Sequence, residues 1–441
     1  MESGTAANAT YTSAGDRLRS WWQENLLAVA AVAMMLASDT KFRLREDLSA
    51  GGTSVDVFIM LEVVVYLLVV VLLIHQNLIR PTLAGVHPLI MLTFGFVTLL
   101  AMGALLTGFS VYGLVRSGQM IVLFLLILAI SQSRRAGDML ERTARVYVFA
   151  CLGLVVVGIL LPSQRTGLQQ DRFNWLATHS VPAGHMLAIG VVAASALSIG
   201  YLFRYHRARP GVIFGFAALL LAVALVANNT RGAAAAAAIG LALAALFLLP
   251  ARLYSSALIV VGYTVLIVAL TAAEPISDWI TRQADPAELG SLNSRTDLWG
   301  LAVERTATES PLFGFGTGSS RSIFYEDTGL GGGHNAAINV FADLGLVGLA
   351  VWLLILMWAV LLVVRTRSQG SFVMEKGLWL GIFVCLAIGG ITYEGIGATT
   401  NTAAIWLFLL IGSAAGAANG LWRDPSESAP TSRTVDRETQ P

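Results

Sequence analysis

The sequence predicts an all-α polytopic membrane protein of about 12 transmembrane helices, and three observations predict it. First, 56% of the 441 residues are apolar and only 12% are charged, about half the charged share of an ordinary soluble domain. So few charges cannot cover a water-facing surface. Second, uninterrupted apolar runs of roughly 20 residues, the length that crosses a bilayer as a helix, recur along the whole chain. Third, these runs lack the two-residue alternation of barrel strands, and open sheet edges cannot stand in lipid. With 28 Lys and Arg against 27 Asp and Glu, the net charge of +1 offers no field for nucleic acid, and no nucleic-acid partner is expected.

In chain order, residues 1–21 read as a polar, cytoplasmic N-terminus with Arg17 and Arg19. The apolar run that follows has no small-residue cleavage pattern, so it is an uncleaved first span. Spans are expected near 22–38, 55–75, 87–107, 111–131, 145–162, 182–203, 211–228, 231–249 and 255–273. Residues 274–333 then form a loop long enough for a small subdomain outside the membrane, in which Ser294 to Thr308 has helical spacing and ends before Pro311. The last three spans fall near 334–365, 376–396 and 402–421. The tail, 422–441, is rich in Pro, Ser, Thr and Glu and is expected to be disordered and cytoplasmic. The larger share of the 28 Lys and Arg falls on the side of the N-terminus. Both termini therefore belong in the cytoplasm and the long loop outside. Cys151 and Cys385 lie in apolar runs as small hydrophobes, with no disulfide framework or metal site to build from them.

Polar groups at membrane depth or at its outer edge are costly, so each is a candidate site. Arg231 follows the tight turn Asn228-Asn229-Thr230 and opens a helix; it binds a ligand or, as the bland alternative, snorkels to headgroups. Arg295 opens the loop helix beside Asp297, which is either its local partner or part of the same site. His334, after three glycines, starts a helix of about 32 residues, near 48 Å long and well beyond the roughly 30 Å hydrocarbon core. Its first turns must protrude or run obliquely. Asn335, Asn339 and Asp343 make one polar stripe there that calls for water or a polar ligand. The positive end of the helix favours a neutral His334 able to accept a proton, although a capping role is open. In an outer loop His179 and His185 flank Pro182, with Arg165 and Arg172 nearby; these line the same site or are simply solvated. The chain contains no Asp-x-Asp pattern to hold a metal on a diphosphate. Guanidinium forks can take that role.

These residues carry a resemblance. Thr230-Arg231-Gly-Ala, Ser294-Arg295, Pro311-Leu-Phe-Gly-Phe-Gly, His334-Asn335 and Asp343-Leu-Gly-Leu-Val-Gly348 stand in that order among many spans. The pattern resembles the O-antigen ligase and O-antigen polymerase superfamily, with the size of the ligases. The resemblance implies a membrane glycosyltransferase of C-type architecture in the bacterial inner membrane, with its active site on the periplasmic face. It implies transfer of O-antigen polysaccharide from undecaprenyl diphosphate to the lipid A core oligosaccharide, inverting and without cofactor or metal. Membrane lipids are the other expected partners. His334 matches the family's essential histidine, Arg231 and Arg295 its two essential arginines, and the Arg165-Thr-Gly segment a further element. Arg165, His185, Asp297, Asn335 and Asn339 complete the expected substrate-binding set. The rival readings are an O-antigen polymerase or protein O-oligosaccharyltransferase on the same scaffold, and a lipid or solute transporter using Glu62 and Arg116 as intramembrane charges.

Overall fold

The computed structural model describes residues 14–40, 57–78, 86–106, 111–133, 136–162, 172–175, 179–256, 258–259, 263, 295–320, 333–366, 372–397 and 400–420. Twelve long helices run through them: α1 Ala14–Asp39, α2 Val57–His75, α3 Pro88–Leu106, α4 Val111–Gln132, α5 Met139–Leu160 and α6 Ser180–Phe203. The series continues with α7 Ala208–Asn228, α8 Arg231–Leu248, α9 Arg295–Glu309, α10 Ala336–Arg365, α11 Phe372–Thr392 and α12 Thr402–Ala418. Among the described residues there is no strand, only one isolated bridge between Pro162 and Trp175. The protein is an all-α polytopic membrane protein. Nine of the described helices are long and apolar enough to cross a membrane, and α12 is apolar with 17 residues. Most of the span expected at 255–273 lies outside the described residues, as do the C-terminal tail and much of the long loop.

Two groups of helices share one core. In the first, α6 packs against α7, α8 and α11, and α8 against α11. In the second, α12 packs against α4 and α10, and α3 against both of these. Helices α5 and α1 lie between the groups. The α8–α11 contact is close because small residues face each other there: a Cβ on Gly240 would meet the Gly381 carbonyl at 2.6 Å, and one on Gly381 would meet Ala244 at 2.7 Å. Outward apolar side chains such as Leu68 and Val71 of α2 or Phe216 and Val223 of α7 stay exposed. That pattern suits lipid rather than water.

Several chain ends meet at the end opposite the site. Glu375 of α11 accepts the backbone N–H of Leu140 and Glu141 at the start of α5, at 3.1 and 2.8 Å. Arg204, after α6, donates to the last carbonyls of α8. Free helix ends are thereby satisfied by charged side chains. Arg116 and Glu62 are buried and bonded to each other at 2.8 Å, and Arg116 also reaches Gln119 and Thr400. Each of the two intramembrane charges thus has the other as a partner inside the bundle.

Helix α10 answers the length problem raised by the sequence. It starts at Ala336, not His334, and is broken at Gly345 (φ 64°, ψ −163°). The segment after the break has about 20 residues, which matches the roughly 30 Å hydrocarbon core. The backbone groups freed by the break are met by the Pro311–Gly316 segment. Leu346 N–H donates to Pro311 O and Val347 N–H to Leu312 O, while Phe315 and Gly316 N–H donate to Ala342 O and Asp343 O. That pairing gives the Pro-Leu-Phe-Gly-Phe-Gly motif a physical role.

Candidate active site

The last turn of α11 and the residues after it, 389–394, contact His185, Gly232, His334 and Asn335. From α6, the buried His185 stacks flat on Tyr393, ring centroids 4.7 Å apart. It fits because Gly389 has no side chain; a Cβ there would meet the imidazole at 2.9 Å. From α8, Gly232 packs on Thr392 so closely that a Cβ would strike its hydroxyl. Arg231, the first residue of α8, is therefore held beside the end of α11.

The turn that delivers Arg231 is built from its own polar side chains. Asn229 takes the left-handed conformation (φ 56°) that closes α7, which Asn tolerates better than most residues. Asn228 is fully buried. Its amide donates to Phe173 O at 2.8 Å and its carbonyl oxygen accepts from the Thr230 hydroxyl at 2.6 Å.

His334 stands two residues before α10, in the left-handed region (φ 49°). Its Nδ1 lies 3.3 Å from Oε2 of Glu394, with the His side chain 25% exposed and the Glu side chain 9%. The contact lacks hydrogen-bond geometry, so it is a close polar approach; a carboxylate beside one imidazole nitrogen is an arrangement in which the other nitrogen can act as a general base. Asn335 caps α10, accepting from Ala337 and Ile338 N–H, and donates to Ile391 O at 3.3 Å. Asn339 accepts from Gly333 N–H at 3.0 Å. Asp343 accepts from Gly318 and Ser320 N–H at 2.9 and 2.7 Å. The polar stripe on α10 thus binds the protein's own backbone around the site.

Helix α9 docks beside His334 through Trp299, whose indole N–H donates to Gly333 O at 2.7 Å. Of Leu298, Leu301 and Ala302, whose spacing puts them on one face, Leu298 and Ala302 are buried there against Ile338 and Leu301 is half-buried. Arg295 begins this helix one turn before Trp299, and Asp297 is exposed. Arg165 lies outside the described residues. Among the described residues no group of three His, Cys, Asp or Glu side chains is placed to hold a metal ion.

Residues 216–353 match the family model described as O-Antigen ligase. Over this stretch the chain is similar to the O-antigen ligase family. It contains Arg231, Arg295 and His334, in accord with the resemblance carried by their motifs. No curated protein matches the chain. The O-antigen ligase match ends before Glu394, a residue that sequence reasoning passed over. Its signal was present: Glu394 is an acid inside the expected span 376–396, where an ionisable group is costly and calls for a partner.

Proposed function

We propose that the chain is an O-antigen ligase. It transfers O-antigen polysaccharide from undecaprenyl diphosphate to the lipid A core oligosaccharide, at the periplasmic face of the bacterial inner membrane. The observation that carries this reading is the His334–Glu394 contact at the same end of α11 that packs against Gly232, next to Arg231. Nε2 of His334 takes the proton of the acceptor hydroxyl as that oxygen attacks the anomeric carbon. The bond from that carbon to the diphosphate oxygen breaks, and the electron pair leaves with undecaprenyl diphosphate. Glu394 stabilises the imidazolium that forms. Arg231 and Arg295 neutralise the charge growing on the leaving diphosphate. Attack opposite the leaving group inverts the anomeric centre. The sugar–diphosphate bond already stores the energy of transfer, so a nucleotide has no part to play.

The test uses the full chain reconstituted in membranes with labelled polysaccharide on undecaprenyl diphosphate and lipid A core as acceptor. His334→Ala is expected to abolish labelled product; wild-type transfer by that variant refutes the assignment. Activity is expected to persist in EDTA, and strict dependence on a divalent ion defeats the arginine role. Offering lipid A core, growing glycan and protein acceptors together separates ligase from polymerase and from protein O-oligosaccharyltransferase. Solute flux without covalent product is the outcome a transporter requires.

A further inference from the structure

We propose that Arg172, set beside Arg231 by Ser180, is a third guanidinium that binds and positions the donor's diphosphate. This deepens the ligase reading and rests on it. The segment 172–175 is far from Arg231 in sequence but is stitched to the α7–α8 turn. Phe173 N–H donates to Ala227 O at 3.0 Å, and Phe173 O accepts from Asn228 at 2.8 Å. The Phe173 ring fills the space over Gly158, where a Cβ would come within 2.8 Å of it. Ser180, the first residue of α6, then links the two arginines. Its hydroxyl accepts from Arg172 at 2.8 Å, and its carbonyl accepts at 3.2 Å from the hydroxyl of Thr230, the neighbour of Arg231.

The chemistry of this arrangement points to an anion. Among the described residues, Arg172's hydrogen bond is to a neutral hydroxyl, which orients the guanidinium without cancelling its charge. Burial, and then the nearby charge of Arg231, lower the hold of Arg172 on its proton. Keeping two guanidinium groups in mutual repulsion costs stability unless an anion joins them. A diphosphate carries one ionised phosphoryl group for each fork, whereas the headgroup of phosphatidylglycerol carries only one.

The test is a calorimetric titration of the detergent-solubilised full chain with farnesyl diphosphate, farnesyl monophosphate and phosphatidylglycerol. Wild type is expected to prefer the diphosphate. Arg172→Gln is expected to weaken farnesyl diphosphate about tenfold or more, the scale of losing charge-assisted hydrogen bonds. The monophosphate and phosphatidylglycerol should change far less. Ser180→Ala, which frees the guanidinium but keeps its charge, is expected to give a smaller loss in the same order. If Arg172→Gln binds farnesyl diphosphate as wild type does while Arg231→Gln is weakened, the proposal is wrong and the ligase reading stands. Equal weakening toward phosphatidylglycerol assigns the pair to ordinary headgroups and also overturns it. Should Arg172→Gln lose its cooperative melting transition, Ser180→Ala decides, and unchanged diphosphate affinity there overturns the proposal. Wild-type transfer by His334→Ala, together with no effect of either arginine variant, removes the ligase reading and this proposal with it.

Discussion

Replacing Gly345 by Ala attacks the break in α10, and its cost follows from the geometry. The backbone there (φ 64°, ψ −163°) lies in a region populated essentially by glycine, where a side chain costs of order 1–3 kcal/mol. The added Cβ would also collide with the backbone of Leu312 and Phe313. Relieving that collision moves the Pro311–Gly316 segment away and endangers four backbone hydrogen bonds, those of Leu346, Val347, Phe315 and Gly316. At about 0.5–1.5 kcal/mol each, losing half of them adds a similar amount, so about 2–6 kcal/mol of destabilisation is expected. Thermal unfolding of the purified chain in detergent measures it, with Gly300→Ala as the control. Gly300 lies in α9 with nothing within 4 Å of an added Cβ, so that change is expected to be neutral or to stabilise by up to about 1 kcal/mol. A melting temperature for Gly345→Ala equal to wild type would show that the break does not depend on glycine.

Glu394→Gln keeps the shape of the acid but removes the charge facing His334; transfer is expected to fall at least tenfold, on the order of a lost orienting partner. The pH–rate profile should shift as well, and an unaltered rate and profile would separate Glu394 from the chemistry. Gly232→Ala is expected to reduce transfer by pushing Arg231 off α11, and Thr392→Ala added to it should restore activity, because the obstructing atoms belong to the Thr392 side chain. Failure of that rescue would mean that the contact does not position Arg231. Burial lowers the proton affinity of His87 at the start of α3, and its neutral Nδ1 accepts from Leu89 N–H at 3.2 Å. The unfolded chain therefore binds a proton that the folded one resists. Stability should fall as pH drops below about 6.5, the ordinary histidine value. His87→Asn, which keeps a cap acceptor, is expected to flatten that acid-side loss in melting curves.

The helices were legible wherever an apolar run was bounded by turn or charged residues. The expected 182–203, 211–228 and 231–249 correspond to Ser180–Phe203, Ala208–Asn228 and Arg231–Leu248. Hydropathy fails where a helix continues through polar residues. Helix α1 begins at Ala14, and α5 starts at Met139 with Glu141, Arg142 and Arg145 in its first turns. The break at Gly345 was hidden for a different reason. One glycine in an apolar run is ordinary, and what makes it a break is a segment some 30 residues earlier that supplies the missing backbone partners. The candidate site was sought among charged and polar residues, because these are costly near lipid. The roles of Asn335 and Asn339 depend on backbone partners at Ile391 and Gly333 that no local spacing reveals.

The Ala and Gly run that opens α8, whose small residues suit close helix packing, acts as a gauge. Ala233, Ala236, Ala237, Gly240 and Ala244 are buried, and the contact at Gly240 and Gly381 brings two backbones nearly to touching. The separation between Arg231 and Glu394 is thereby set along the whole shared length of the two helices. A single methyl group introduced about two turns beyond Arg231 is expected to pry the pair apart like a shim. Loss of activity is then to be sought among substitutions deep in the helix bundle, far from the candidate site.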